Sequence, residues 1–248
     1  SSINLPESGN NLIDFINNQT EYFEKIYITI PKKYHRFDDT ISERTVENLE
    51  NLSKIEIINS EIDYGPGCKY LGPLLYKYNI LENNLLVIID DDRLYNKNLI
   101  KNLLVAYNSY PESNFYTGLW SYFFNKNYKY LDENFLEMTI VQEKRNFDIK
   151  YGSGVGGFFG FAIFINDLKD FINYNLKILN IVKTSIYHDE GIILSYLKTL
   201  KKNIVFIKHL GCKEYKEESP DALCLSNLCN RNKLEKELLY VTQIQNLL

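Results

Sequence analysis

The stretch Leu85-Leu86-Val87-Ile88-Ile89, followed at once by Asp90-Asp91-Asp92, decides the fold. A continuously apolar run of strand length, with no polar residue alternating into it, predicts a parallel strand buried on both faces. Such strands occur where helices cover both sides of a sheet. Working upstream, Lys25–Ile30 (KIYITI), ended by Pro31, and Lys54–Ile58 (KIEII) read as two further strands. Between and after the three strands lie helical spacings: Val46 and Leu49 within Ser42–Leu52; Leu71, Leu74, Leu75 and Tyr78 within Tyr70–Tyr78; and Leu99, Leu103 and Tyr107 within Lys97–Tyr107. Strand and helix therefore alternate three times at roughly 30-residue spacing, the pattern of a doubly wound α/β sheet. In such sheets ligands bind outside the carboxyl ends of the strands. Attention falls on the residues just after Ile30, Ile58 and Ile89.

Downstream the pattern is less regular. Phe158–Ile165 (FFGFAIFI) and Asn203–Lys208 (NIVFIK) read as strands. Gly191–Leu200 carries Ile193, Tyr196, Leu197 and Leu200 on one helical face, and Arg231–Leu247 reads as an amphipathic helix. The stretch near 110–156 is expected to be irregular. Without repeats or a Pro/Gly/Ser-rich linker, residues 1–248 are expected to form one domain.

Composition excludes several classes. With 248 residues, 45% apolar, 24% charged and 14% aromatic, the chain is globular rather than disordered or fibrous. A net charge of −4 disfavours nucleic acid as a bulk partner. The longest apolar runs fall far short of the ~20 residues that a bilayer span requires. Ser1–Pro6 shows no basic start leading into an apolar core, so no signal peptide is expected and the location expected is cytoplasmic. The four cysteines, Cys68, Cys212, Cys224 and Cys229, read first as free buried thiols. His209-x2-Cys212 with Cys224-x4-Cys229 is a zinc alternative with a looser spacing than usual, and a disulfide is a third.

Three signals carry chemistry. In the first, the adjacent carboxylates of Asp90, Asp91 and Asp92 repel one another. Two like charges ~4 Å apart cost about 4 kcal/mol at an effective dielectric near 20. A hard divalent cation, Mg²⁺ or Mn²⁺, removes that cost and favours carboxylate together with phosphate oxygens. The bland alternative is a solvated acidic loop. The second signal is Asp63-Tyr64-Gly65-Pro66-Gly67-Cys68-Lys69. Its glycines let the backbone approach a ligand closely, and Lys69 opens a helix whose positive end suits a diphosphate. Taken alone, it is also a common turn followed by a surface Lys. Pro31 and Arg36 follow the first strand in the same way.

In order and spacing, Ile30-Pro31, Arg36, Asp63–Lys69 and Asp90–Asp92 resemble the nucleotide-sugar half of the small, family 2-like GT-A glycosyltransferases. The resemblance covers roughly residues 24–210. It implies an α/β GT-A fold, a Rossmann-like mixed, mainly parallel sheet flanked by helices. Its nucleotide-binding half would be about 24–110, its acceptor half about 111–210 and its last helix about 230–247. It also implies a nucleotide-diphosphate sugar donor, a UDP-sugar being favoured, and a glycan or other hydroxyl acceptor. The donor would be held by Ile30, Pro31, Arg36, Asp63, Gly65, Lys69, Asp90 and Asp91, with Mn²⁺ or Mg²⁺ on Asp92 and Asp90.

The third signal is His188-Asp189-Glu190 ahead of the helix at 191–200. Members of the resembling family carry an acidic pair there, one of which deprotonates the acceptor hydroxyl in inverting enzymes. Asp189 and Glu190 are both candidates, and both would also suit a helix N-terminus. His209, after the strand at 203–208, is a candidate further metal ligand or a surface histidine. Gly152–Gly157 is not a dinucleotide fingerprint, because that motif must open a helix and here a strand follows. Trp120, Tyr122, Phe123 and Phe124 either stack on sugars or fill the core. A HAD-like phosphatase also places Asp-x-Asp after an apolar strand, but Leu94 stands where that motif wants Thr or Val. A non-catalytic nucleotide- or sugar-binding module is the alternative outside enzymes.

Overall fold

The computed structural model describes residues 5–34, 41–81, 84–90, 94–111, 113–122, 128–131, 154–181, 192–193, 196–197, 199–200, 204–208 and 212–214. In chain order these form α1 (Leu5–Asn18), β1 (Ile26–Pro31), α2 (Glu43–Glu50), β2 (Ile55–Ser60), α3 (Cys68–Leu81) and β3 (Leu85–Ile88). They continue with β4 (Leu94–Tyr95), α4 (Leu99–Ser109), β5 (Asn114–Tyr122), β6 (Tyr128–Leu131) and β7 (Gly154–Phe164). Last come α5 (Phe171–Ile181), β8 (Ile204–Lys208) and β9 (Cys212–Glu214). The chain has an α/β fold with parallel strands flanked by helices.

The run that decides the fold is buried as its composition demands, but its described ladder, to β7, is antiparallel rather than the parallel pairing expected. Leu86 and Ile88 pack into a core with Tyr70, Leu71 and Leu74 of α3, Phe171 and Ile178 of α5, and the helical residues Ile192, Ile193, Tyr196 and Leu197. Leu85, Val87 and Ile89 pack into another with Phe15 of α1 and Leu99, Leu103 and Ala106 of α4. Successive side chains of a strand point to opposite faces, so helices on both sides require an unbroken apolar run. β1 and β2 are parallel, from Ile26 opposite Ile55 to Pro31 opposite Ser60. Ile26, Ile28 and Ile30 face a third core shared with Leu12 of α1 and Leu49 of α2. Between them Thr29 points the other way, onto α3.

The five-stranded sheet runs β3-β7-β5-β8-β6 and is mixed. β8 is parallel to β5 and β6, while β7 is antiparallel to β3 and β5. The expectation of irregular chain over 110–156 is corrected here, since β5 and β6 lie within it and β5 is central to the sheet. β5 (NFYTGLWSY) is rich in aromatic residues that favour strands, but Gly118 at its middle masks the pattern. The described part of the glycine run, Gly154–Gly157, lies inside β7: Gly156 stands opposite Trp120, and Phe158 opposite Gly118. The helices α1 and α5, absent from the sequence reading, are added to the fold. The expected helix at 231–247 lies outside the described residues.

Two local devices hold the helices. α2 is capped by Ser42, whose hydroxyl accepts the Thr45 N–H at 3.3 Å. α4 has no such cap of its own, since the Asn98 side chain makes no capping bond. Gln19, just beyond α1, supplies one: its Oε1 accepts the Ile100 N–H at 3.2 Å and its Nε2 donates to the Asn96 carbonyl at 2.9 Å. α1 is thereby tied to the chain that follows the acidic stretch.

Close approach of α3 to β1 depends on Gly72. A Cβ there would lie 2.0 Å from Thr29 Oγ1 and 2.8 Å from its Cβ, a clash no rotamer of Thr29 relieves. Gly72→Ala is therefore expected to destabilise the fold by about 1–3 kcal/mol or more, as overpacking of a close contact does. Urea denaturation measures it. A variant within about 0.5 kcal/mol of wild type, the usual range for surface changes, would show that α3 is not seated on β1.

Candidate functional site

The second and third strand ends meet through one ion pair. Lys69, in the first turn of α3 after β2, places its Nζ 2.8 Å from Oδ1 of Asp90, the second residue beyond β3. Both side chains are mostly buried, at 15% and 23% exposure, so the contact is less screened than a surface pair. A lysine in the first turn of a helix faces the positive end of the helix dipole, which opposes it. The Asp90 carboxylate offsets that, and Lys69 in turn offsets part of the repulsion among the three adjacent carboxylates. Two residues expected to bind the same nucleotide are thus brought into contact.

The loop from β2 to Lys69 is built by its own side chains. Asp63 is 6% exposed, and its Oδ1 accepts the Gly65 N–H at 2.7 Å, an Asx turn. Gly65 has φ 58°, the left-handed region that a side chain disfavours. The Cys68 thiol donates to the same Asp63 oxygen at 3.8 Å and its sulfur accepts the Tyr64 N–H at 3.2 Å. Asp63 and Cys68 therefore hold the turn that aims Lys69. The sequence reading gave Asp63 a nucleotide contact and Cys68 no role beyond a buried thiol. The structure gives both a positional task.

The strand exit is fixed by a residue the sequence reading did not single out. Beyond the β3–β7 ladder, which ends with Ile88 opposite Phe161, the Asp90 N–H donates to Tyr95 Oη at 2.7 Å. A signal existed: a Tyr three residues after the acidic triplet, if buried, must find a partner for its hydroxyl. Ile30 and Pro31 are buried, with the Ile30 side chain in the core, so neither presents an exposed side chain. Arg36, Asp91, Asp92, Asp189, Glu190 and His209 lie outside the described residues, as do Phe123, Phe124, Cys224 and Cys229. Trp120 and Tyr122 belong to β5, and Cys212 opens β9. Among the described residues, no helix is long and apolar enough to cross a membrane.

No protein-family model matches the chain, and no curated protein matches it in sequence. Among solved structures, the fold can be aligned with 2-C-methyl-D-erythritol 4-phosphate cytidylyltransferase of Francisella tularensis. The alignment covers 91% of this chain and 86% of that one, at 15% identity and a TM-score of 0.48.

Burial pushes the Cys68 thiol up to about 11, because the thiolate would be formed away from water. At pH 8 its thiolate fraction is then roughly a hundredfold below that of an ordinary cysteine, and the thiolate is the reactive form. Iodoacetamide at pH 8 is expected to alkylate Cys68 in the folded protein at least about a hundredfold more slowly than in urea. Peptide mass spectrometry resolves the site. Equal rates in the two states would remove Cys68 from the buried turn.

Proposed function

We propose that the chain is a metal-dependent glycosyltransferase of the GT-A type, moving a sugar from a nucleotide-diphosphate sugar, with a UDP-sugar favoured, to a glycan or other hydroxyl acceptor. The observation that carries the reading is the Lys69–Asp90 pair, which joins the segments that follow β2 and β3. Ligands of open α/β sheets bind beyond strand ends of this kind.

The donor set suits a hard cation: the Asp90 carboxylate lies at the strand exit, and Asp91 and Asp92 follow it. Asp92 and Asp90, with His209 as a further ligand, would hold Mn²⁺ or Mg²⁺, which when bound offsets the diphosphate charge. The chain's own residues do the rest. The acceptor oxygen forms a bond to the anomeric carbon as the bond from that carbon to the diphosphate oxygen breaks. The electron pair leaves with the diphosphate, where the Lys69 ammonium, reinforced by Arg36, stabilises it. The hydroxyl proton passes to a carboxylate, Asp189 or Glu190. This is an inverting displacement.

Calorimetric titration with UDP, in Mn²⁺ and again in EDTA, tests the donor half. Wild type is expected to bind more tightly with Mn²⁺. Lys69→Ala should weaken donor binding without changing the acceptor KM. Asp92→Asn should lose at least about tenfold of the metal-supported affinity, since one charged ligand is worth over ~1.4 kcal/mol. Equal affinity in Mn²⁺ and EDTA would overturn the metal role, and binding without turnover of any nucleotide sugar would leave a binding module.

The base is tested separately. Asp189→Asn keeps the shape and caps a helix about as well, so stability should barely move while transfer falls by at least about 100-fold. Glu190→Gln is its counterpart. A dead Glu190→Gln beside an active Asp189→Asn would assign the base to Glu190, and two active variants would exclude inversion by this route.

A further inference from the structure

We propose that Tyr95 is a positioning residue of the donor site: its hydroxyl fixes the backbone at Asp90 and, through Asp90, the seat of the Lys69 ammonium. The inference rests on the proposed function for its ligand and on the geometry for its residue. The Asp90 N–H is past the end of the β3–β7 ladder, so among the described residues no strand partner sets its direction. Tyr95 Oη accepts it at 2.7 Å, and the carboxylate of the same residue accepts Lys69 Nζ at 2.8 Å. Three residues are thus joined in series, phenol to amide and carboxylate to ammonium.

The hydroxyl can serve as a fixed point because the ring behind it is held from several sides, so that no single packing contact decides its place. Phe15 of α1 meets the Tyr95 ring edge-on, with centroids 5.8 Å apart and planes at 83°. Leu99, Leu103 and Ala106 of α4 share its core, and its backbone pairs with Cys212 of β9. The chain just after it is tied to α1 by Gln19 and by the Thr20 N–H, which donates to the Lys97 carbonyl at 2.9 Å. A rigid path therefore runs from the α1–α4 core to the two charges at the strand edge.

Tyr95→Phe removes this oxygen and keeps the ring. Phe15→Leu is its counterpart, loosening the packing on the ring while keeping the hydroxyl. Amide exchange at Asp90, followed by NMR on the ligand-free protein, is expected to rise at least about tenfold in Tyr95→Phe relative to Phe15→Leu, as loss of a protecting contact frees the amide to open locally. UDP affinity in Mn²⁺ should fall about tenfold in Tyr95→Phe, the lower end of what loss of an outer partner costs a metal-binding carboxylate. In Phe15→Leu that affinity should stay within about twofold of wild type, although its melting point drops. Unchanged Asp90 exchange in Tyr95→Phe would overturn the positioning role whatever the ligand. Equal loss of UDP affinity in the two variants would overturn it too, by reducing Tyr95 to packing. A wild-type chain that binds no UDP in Mn²⁺, while Asp90 exchange still responds to Tyr95→Phe, would instead sink the proposed function and leave Tyr95 a structural tether only.

Discussion

Burial of β3 on both faces governs where charge can stand in this protein. Leu86 and Ile88 are committed to one core and Leu85, Val87 and Ile89 to another, so no polar side chain can be placed along the strand without losing burial on one side. The first residue free to carry charge is Asp90, beyond the apolar run. The carboxylates consequently accumulate at an edge rather than along a face.

Concentrated charge at such an edge needs an answer, and the chain provides one. Lys69 is delivered by α3, whose seat on β1 depends on the missing side chain at Gly72 and whose start depends on the Asp63–Gly65 turn. Pro73 sits inside the same helix and removes the bond its amide would have made to the Lys69 carbonyl. The first turn of α3 is therefore held more by the turn before it and by aromatic packing than by its own ladder. Tyr70 meets Phe171 of α5 at 5.4 Å, and Phe171 meets Tyr196 at 5.1 Å. Edge contacts of this kind contribute about 0.5–1.5 kcal/mol each beyond burial. Positioning of one ammonium thus draws on packing from residues up to 127 positions away (69 to 196).

Where the sequence could be read and where it could not follows one physical division. The apolar strands and the helices α3 and α4 were legible because each buries a stripe that repeats at its own period. α5 was not, because its buried face is Phe171, Asn175 and Ile178, and a polar residue in the stripe breaks the apolar count. α1 hides behind Glu7-Ser8-Gly9-Asn10-Asn11, which reads as a turn, although Leu12 and Phe15 beyond it are core residues. β5 hides behind Gly118. In each case tertiary packing outweighed a local preference worth less than about 1 kcal/mol per residue.

By itself the sequence determined the α/β alternation, the strand that ends in three carboxylates, the turn that leads to Lys69 and the absence of a helix after the glycine run. These are local properties, fixed by the spacing of apolar residues and by turn chemistry over a few neighbours. Only the tertiary structure decided that Lys69 meets Asp90, that Tyr95 holds the amide beside it, that Gln19 caps a helix 81 residues on, and that β7 enters the sheet antiparallel between β3 and β5. Each of these joins segments whose separation along the chain carries no signal in either segment alone. A hydrogen-bond donor does not encode its distant acceptor, and the partner is selected only when the cores close around both.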